Sequence, residues 1–397
     1  MNKTLIILAL FSLSLNACPQ DVKDFLQKVM EHHPGISAGR ELLDSRRAWS
    51  MTGHTPPDPT VQIGYFPGIP ESTGDKVTWS VSQSLDFPSV YRNIKKLREI
   101  DYEQAVMEYR HMVLSLLEEA RAGIIEMTAL KKHIDMSDIR LAHIGKMEKA
   151  YKKMLDEGEV TIIEYNKIRI AEAELENQKR EYKASLEAVI SHLDMMSGNN
   201  TPGAGRVAYP LFREPDPDKL LAERKQRHPA YHIPKKEIEI AQRNIELIKS
   251  EKLPELEIGY ASEIVAASRF TGPSIGLSIP LWENKGRLSL ARAGKAHSEA
   301  EHNKSMLIKD KEFNIKYNKY LSVKSGFESL ESILREYKAN ELLNRALEEG
   351  EISLIEYFTE LEEFYDAEDR LTELEKDYYS LLSSLYNHFP GLIIPGN

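Results

Sequence analysis

Acidic side chains come together in this sequence in one pattern that occurs twice. Residues 157–165 read Glu-Gly-Glu-Val-Thr-Ile-Ile-Glu-Tyr and residues 349–357 read Glu-Gly-Glu-Ile-Ser-Leu-Ile-Glu-Tyr, identical at six of nine positions. Carboxylates drawn close together attract cations and raise one another's pKa; spread over a helix surface they are simply solvated. Each stretch also carries turn chemistry. Gly158 and Gly350 stand just past a long helical pattern, and Thr161 and Ser353 follow as side chains able to cap the next helix. Each copy predicts the tip of a helical hairpin.

Other reactive chemistry is sparse. The twelve histidines are scattered, and His32-His33 are helical neighbours rather than a same-face pair. No His-x-x-x-His or Glu-x-x-His lies in a metal-binding context, so no metal and no cofactor are expected. Met195-Met196 is a lone pair of the kind used in packing. There is no catalytic set and no phosphate loop. The chain is not expected to be an enzyme, and any energy it uses must come from a partner.

The duplication extends along the chain. The tips lie 350 − 158 = 192 residues apart; His33-Pro34 recurs as His228-Pro229 after 195, Ile63-Gly64-Tyr65 as Ile258-Gly259-Tyr260 after 195, and Ser82 and Leu85 as Ser278 and Leu281 after 196. Landmarks in one order at nearly one offset mean tandem repeats. The expected division is a signal segment at 1–17, a first repeat with linker at 18–218, and a second repeat at 219–397. Each repeat has a short helix, a β-hairpin, a long helix and a return helix. Strands are expected at about 61–66 and 77–85, then at about 255–265 and 273–281. The long helices are placed at Val90–Asp156 and Asn284–Glu349. Val106, Tyr109, Val113, Leu116, Ala120, Ile124 and Met127 mark a seam of coiled-coil type in the first, which at 1.5 Å per residue spans about 100 Å.

Composition sets the limits. The 397 residues are 29% charged with a net charge of −10, and no basic block stands out, so nucleic acid is not an expected partner. The single cysteine forbids an internal disulfide. Lys3 and the uncharged run Leu5–Leu15 match a secretory leader, too short to span a bilayer. Leu15-Asn16-Ala17-Cys18 resembles a bacterial lipobox, which makes Cys18 a lipidation site; ordinary cleavage nearby would leave it incidental. On either reading the protein leaves the cytoplasm. No other stretch is apolar enough for a transmembrane helix.

The strands carry the strongest physical constraint. Val77, Trp79, Val81 and Leu85 alternate with Thr78, Ser80, Ser82 and Ser84. That pattern suits a barrel wall with lipid outside and water inside. Four strands cannot close, and an open edge in lipid leaves backbone groups unsatisfied. Several chains must then share one barrel, and three supply twelve strands around an aqueous lumen. A soluble β-layer packed on a helix is the other reading.

At this point the chain resembles the outer-membrane efflux proteins of the TolC family, over essentially its whole mature length. The likeness rests on the two tips, on Gly-Pro-Ser-Ile-Gly-Leu-Ser-Ile-Pro-Leu-Trp at 272–282, and on the order of elements. Val-Ser-Gln-Ser-Leu-Asp-Phe-Pro at 81–88 resembles the CzcC-like metal-efflux branch. The resemblance implies a mainly α fold with a small β part: a homotrimeric 12-stranded β-barrel in the outer membrane continued by a periplasmic α-helical barrel. It implies docking of the tips, through Gly158, Val160, Thr161, Gly350, Ile352 and Ser353, onto a periplasmic adaptor that leads to an inner-membrane pump. Family members close the mouth with acidic residues just past the second tip. Those positions are Glu356 and, three residues on, Thr359, so the second acidic ring is missing; Glu164 corresponds in the first repeat. Near a threefold axis, Glu349, Glu351 and Glu356 would give a ring that favours cations. A type I secretion conduit shares this architecture, and a periplasmic coiled-coil scaffold or adaptor is the remaining alternative.

Overall fold

A computed structural model describes residues 19–203, 208–210, 212–265, 268–282, 285–336 and 339–389. The expected signal segment and Cys18 lie outside the described residues. The helices are α1 (Pro19–His32), α2 (Pro34–Ser50), α3 (Pro88–Asp156), α4 (Ile162–Ser197), α5 (Pro217–Arg227), α6 (Ile233–Ser250), α7 (Arg287–Glu336), α8 (Ala339–Glu348) and α9 (Leu354–Leu385). The strands are β1 (Thr60–Phe66), β2 (Lys76–Leu85), β3 (Glu255–Val265) and β4 (Ser268–Ser278). Proline is the first residue of α1, α2, α3 and α5, where its missing N–H costs nothing and its fixed φ suits a helix start.

Contacts divide the chain into two compact units, each combining segments of both halves of the sequence. Among the described residues, the first takes those up to Ser37, Met112–Arg227 and those from Asp310 onward. Its main core joins Val22, Phe25, Leu26 and Val29 of α1, Leu117, Ala120, Ile124 and Met127 of α3, and Leu193 and Met196 of α4. The α3 members recur at 3/4 spacing, the stripe a helix turns toward its neighbours. The expected seam used Leu116, but it is Leu117 that is fully buried. A Cβ on Gly123 would stand 2.6 Å from Leu193 Cδ2, so glycine lets α3 and α4 approach closely there. A second core gathers Leu220, Phe313, Tyr320, Leu382, Leu385 and Tyr386. The linker is strapped onto α9 by Tyr209, which stacks on Tyr379 at 4.4 Å.

The second unit takes Ala38–His111 and His228–Lys309. Its sheet has four antiparallel strands in the order β1-β2-β3-β4. The central pairing, from Lys76 opposite Val265 to Leu85 opposite Leu256, fuses the two hairpins. Its helical part is pinned by a few specific contacts. Arg98 donates to Trp49 O at 3.0 Å with its guanidinium 4.4 Å from the Trp49 ring. Asn93 donates to Glu246 O at 3.2 Å, and Ile245 and Ile248 pack on Ala291.

Two elements differ from expectation. The second long helix, expected at Asn284–Glu349, is described as α7, from Arg287, and α8, to Glu348. The fourth strand runs 268–278, not about 273–281, because Ser262, Glu263, Ile264 and Val265 go on pairing with Thr271, Phe270, Arg269 and Ser268. Those residues are mostly polar and give no alternation to read, whereas Pro280 lacks the N–H a continuing ladder needs.

Candidate functional site

Residues directly opposite in an antiparallel ladder share a face, so the register sorts the sheet into two surfaces. On one lie Val61, Ile63 and Tyr65, then Val77, Trp79 and Val81, then Leu256, Ile258 and Tyr260, then Ile275 and Leu277. Ile63 is 80% and Ile275 79% exposed. On the other lie Thr78, Ser80, Ser82 and Ser84 with Gly259, Ala261, Ser274 and Gly276. Lys76 and Glu263 pair there at 2.9 Å. Gln83, Ser262, Arg269 and Thr271 interrupt the first face, and Phe66 and Phe270 stand on the second; even so, a monomeric soluble protein rarely leaves so many large apolar side chains in water. Among the described residues β1 and β4 each have one unpaired edge. No helix among the described residues is long and apolar enough to cross a membrane.

The tips are built from the sequence motif alone. At the first, Gly158 has φ +77°, its N–H reaches Leu155 O at 3.1 Å, and Glu159 N–H reaches Met154 O at 2.8 Å. At the second, Gly350 has φ +74°, its N–H reaches Leu347 O at 3.2 Å, and Glu351 N–H reaches Ala346 O at 2.9 Å. This paired closure needs a left-handed residue, which glycine supplies without strain. The next helix then starts with a reciprocal cap. Thr161 Oγ1 accepts from Glu164 N–H at 3.3 Å while the Glu164 carboxylate accepts from Thr161 N–H at 2.7 Å. Ser353 and Glu356 repeat the exchange at 3.3 and 2.8 Å. The backbone N–H of the cap residue holds both carboxyls below their usual range. The Ser/Thr-x-x-Glu spacing that signals this box was present in the sequence, yet only the caps, not the glutamates' part in them, were read from it.

The other expected tip residues divide by exposure. Gly158, Thr161, Gly350 and Ser353 are exposed, Val160 is half-buried, and Ile352 packs against the Leu343–Tyr357–Leu361 cluster. Thr359 is exposed and bonds Ile355 O within its own helix at 3.0 Å. The freely presented apolar side chains are Ile163 at 68% and Ile162 at 55% exposure, with Ile355 at 49%. They belong to the same repeated stretch, where an apolar side chain beside a cap gives no sign of its exposure.

Behind the tips, a buried ionic network joins α3 to α9. Arg140, 4% exposed, donates to Asp369, Glu368 and Tyr365 O, each at 3.0 Å. His133 stands 3.4 Å from Asp369 and 3.3 Å from Glu373, stacked on Tyr182 at 4.6 Å. Burial pushes the Asp369 carboxyl up, but the hydrogen bonds from His133 and Arg140 outweigh it and leave it low. Burial wins at Glu368, whose carboxyl stays raised. No group of three or more His, Cys, Asp or Glu among the described residues is placed to hold a metal ion. What remains is a surface divided into apolar and polar faces in one unit, and a pair of capped turns in the other.

No protein-family model and no curated protein matches the sequence. Solved structures do. The outer-membrane channel OprN is similar at 13% identity and a TM-score of 0.78, covering 94% of this chain and 90% of that one. The MtrE outer-membrane channel of Neisseria gonorrhoeae, in its open state, is similar at 11% identity and a TM-score of 0.77, covering 94% and 89%. The outer-membrane protein VceC of Vibrio cholerae is similar at 13% identity and a TM-score of 0.74, covering 93% and 96%. Over almost its whole length, this chain has the fold of these outer-membrane channel proteins.

Proposed function

We propose that this chain is the outer-membrane duct of a tripartite efflux system, a passive conduit for solutes that an inner-membrane pump delivers through a periplasmic adaptor. The observation that carries the reading is the open sheet, with its exposed apolar face, its small polar face and two unpaired edges. Two copies would give eight strands, whose side chains fill the interior; three give twelve and leave room for water. The eleven residues of β3 span, at a tilt of about 40°, about 28 Å of height. That matches the apolar band of an outer-membrane barrel, about 25 Å tall. The fold shared with outer-membrane channels supports the same reading.

In this reading the capped tips are the adaptor-docking surface, with Ile162, Ile163 and Ile355 beside Gly158, Val160, Thr161, Gly350, Ile352 and Ser353. Glu356, with Glu164 and Thr359, lines the aperture, and Cys18 carries a lipid anchor. The protein performs no catalysis. Full-length protein extracted in detergent is expected to run as a trimer and to open ion-conducting pores in planar bilayers. A monomer released without detergent, silent in bilayers, would sink the proposal.

A further inference from the structure

Buried polar groups are rarely left unpaired, and a buried unpaired charge is the most costly case. Four such atoms, on Arg121, Ser383 and Asn387, belong to α3 and to the end of α9 and the residues after it, which Arg121–Phe389 and Asn387–Glu118 hydrogen bonds join. Arg121 is 2% exposed. Its Nη1 donates to Phe389 O at 3.1 Å, but Nε and Nη2 have no partner. Those two nitrogens form one edge of the guanidinium, the fork that grips two oxygens of a single anion. His388 is 3% exposed, and the Leu385 backbone is its one hydrogen-bonding neighbour among the described residues. Ser383 Oγ and Asn387 Oδ1 are unmatched as well.

The local charges do not cancel. Glu118 accepts from Asn387 at 2.8 Å, and Glu223 lies 4.0 Å from His388 Nε2. Against these two carboxylates stand three guanidiniums. Arg224 donates to Ser384 O and Leu385 O at 3.1 and 3.4 Å, Arg227 lies 5.3 Å from the centre of the Phe389 ring, and Arg121 is the third. Burial and the charges of Arg224, Arg227 and Arg121 push His388 down to about 4, so at neutral pH it is an uncharged ring, its one N–H turned to the Leu385 carbonyl. A cleft of about 360 Å³ opens beside Arg227 and Phe389, and its lining charges balance, Arg213, Lys219 and Arg227 against Glu214, Asp216 and Glu223.

We propose that Arg121 and His388 form a binding site for a small oxyanion taken from solution, with two oxygens on the Arg121 fork. The unmatched acceptor on Asn387 favours an anion that also donates, so a hydrogen phosphate suits the site better than a carboxylate. The assignment is independent of the channel reading.

The test is thermal unfolding of the full-length protein in detergent, titrated with inorganic phosphate against chloride at matched ionic strength. Phosphate is expected to raise the wild-type Tm saturably by roughly 3 °C, with acetate weaker and chloride inert. Arg121→Lys keeps the charge and removes the fork, and is expected to lose the response. His388→Glu tethers a carboxylate among the guanidiniums; it is expected to raise the Tm without phosphate and to abolish the titration. Equal shifts in wild type and Arg121→Lys, or an equal shift with chloride, would overturn the site.

Discussion

The two hairpin tips share six of nine residues, one turn geometry and one capping box, yet their tyrosines lead different lives. Tyr165 is half-buried and donates to Glu148 of its own hairpin at 2.5 Å. Tyr357 is fully buried; its hydroxyl donates to Asn344 of α8 at 3.0 Å and meets His143 Nε2 of α3 at 3.2 Å. His143 Nδ1 in turn stands 3.4 Å from the Tyr365 hydroxyl. With Tyr357 donating to Asn344, the His143 contact is satisfied when Nε2 carries the proton. The second tip is thus bolted to the first hairpin through a tyrosine that in the first tip stays at home. The repeated motif settles the backbone of a tip, and the residues that surround it settle what the tip is attached to.

The harshest way to break the comparison is to remove what the tips have in common. Gly158→Pro and Gly350→Pro each delete a donating N–H and forbid a positive φ, at a local cost of about 3 kcal/mol or more. Both are expected to abolish export while the trimer still assembles on a native gel; normal export by the Gly350→Pro strain would end the docking proposal. A milder pair of changes separates the tips. Tyr357→Phe removes the hydroxyl shared by Asn344 Oδ1 and His143 in a half-buried place, at about 1 kcal/mol or more. Tyr165→Phe releases a partly exposed bond and is expected to cost clearly less. Equal losses in denaturant unfolding would show that the cross-hairpin bolt contributes no more than a bond within one hairpin. Thr161→Ala and Ser353→Ala should then restore the symmetry, each costing about 1 kcal/mol through loss of its cap.

These contrasts mark how far the sequence could be read. The turns were readable because a glycine after a helix and a Thr or Ser before the next one act within a few residues of chain. The alternation of Val77, Trp79 and Val81 was readable for the same reason. The pairing of β2 with β3 was not, because nothing in either strand names a partner some 180 residues away. Nor was the polar half of β4, where Ser268, Arg269 and Thr271 offer no apolar rhythm. His33-Pro34 and His228-Pro229 served only as landmarks, yet in each the imidazole Nδ1 accepts an N–H two residues on, from Gly35 at 3.0 Å and from Ala230 at 3.2 Å. Arg140, His133 and Arg121 were unreadable because a charge on a long helix looks solvated until the helices packed around it are known.

The smallest expected effect decides the most about the aperture. In the chain by itself, Glu164 and Glu356 are held below 4.5 by the cap residue's backbone N–H. A lowered folded value means stability that is present above pH 4.5 and lost as pH falls through the folded value. If capping is all they do, Glu164→Gln and Glu356→Gln each flatten the fall in Tm below pH 4.5, and to the same extent. If three copies of Glu356 face one another across a narrow mouth, repulsion raises its folded value instead. The sign then reverses at that residue alone: its contribution is intact below pH 4.5 and is lost as pH rises, so Glu356→Gln stabilises the trimer at neutral pH while Glu164→Gln does not. Matching pH profiles for the two variants would leave Glu356 as a helix cap and remove it from the gate.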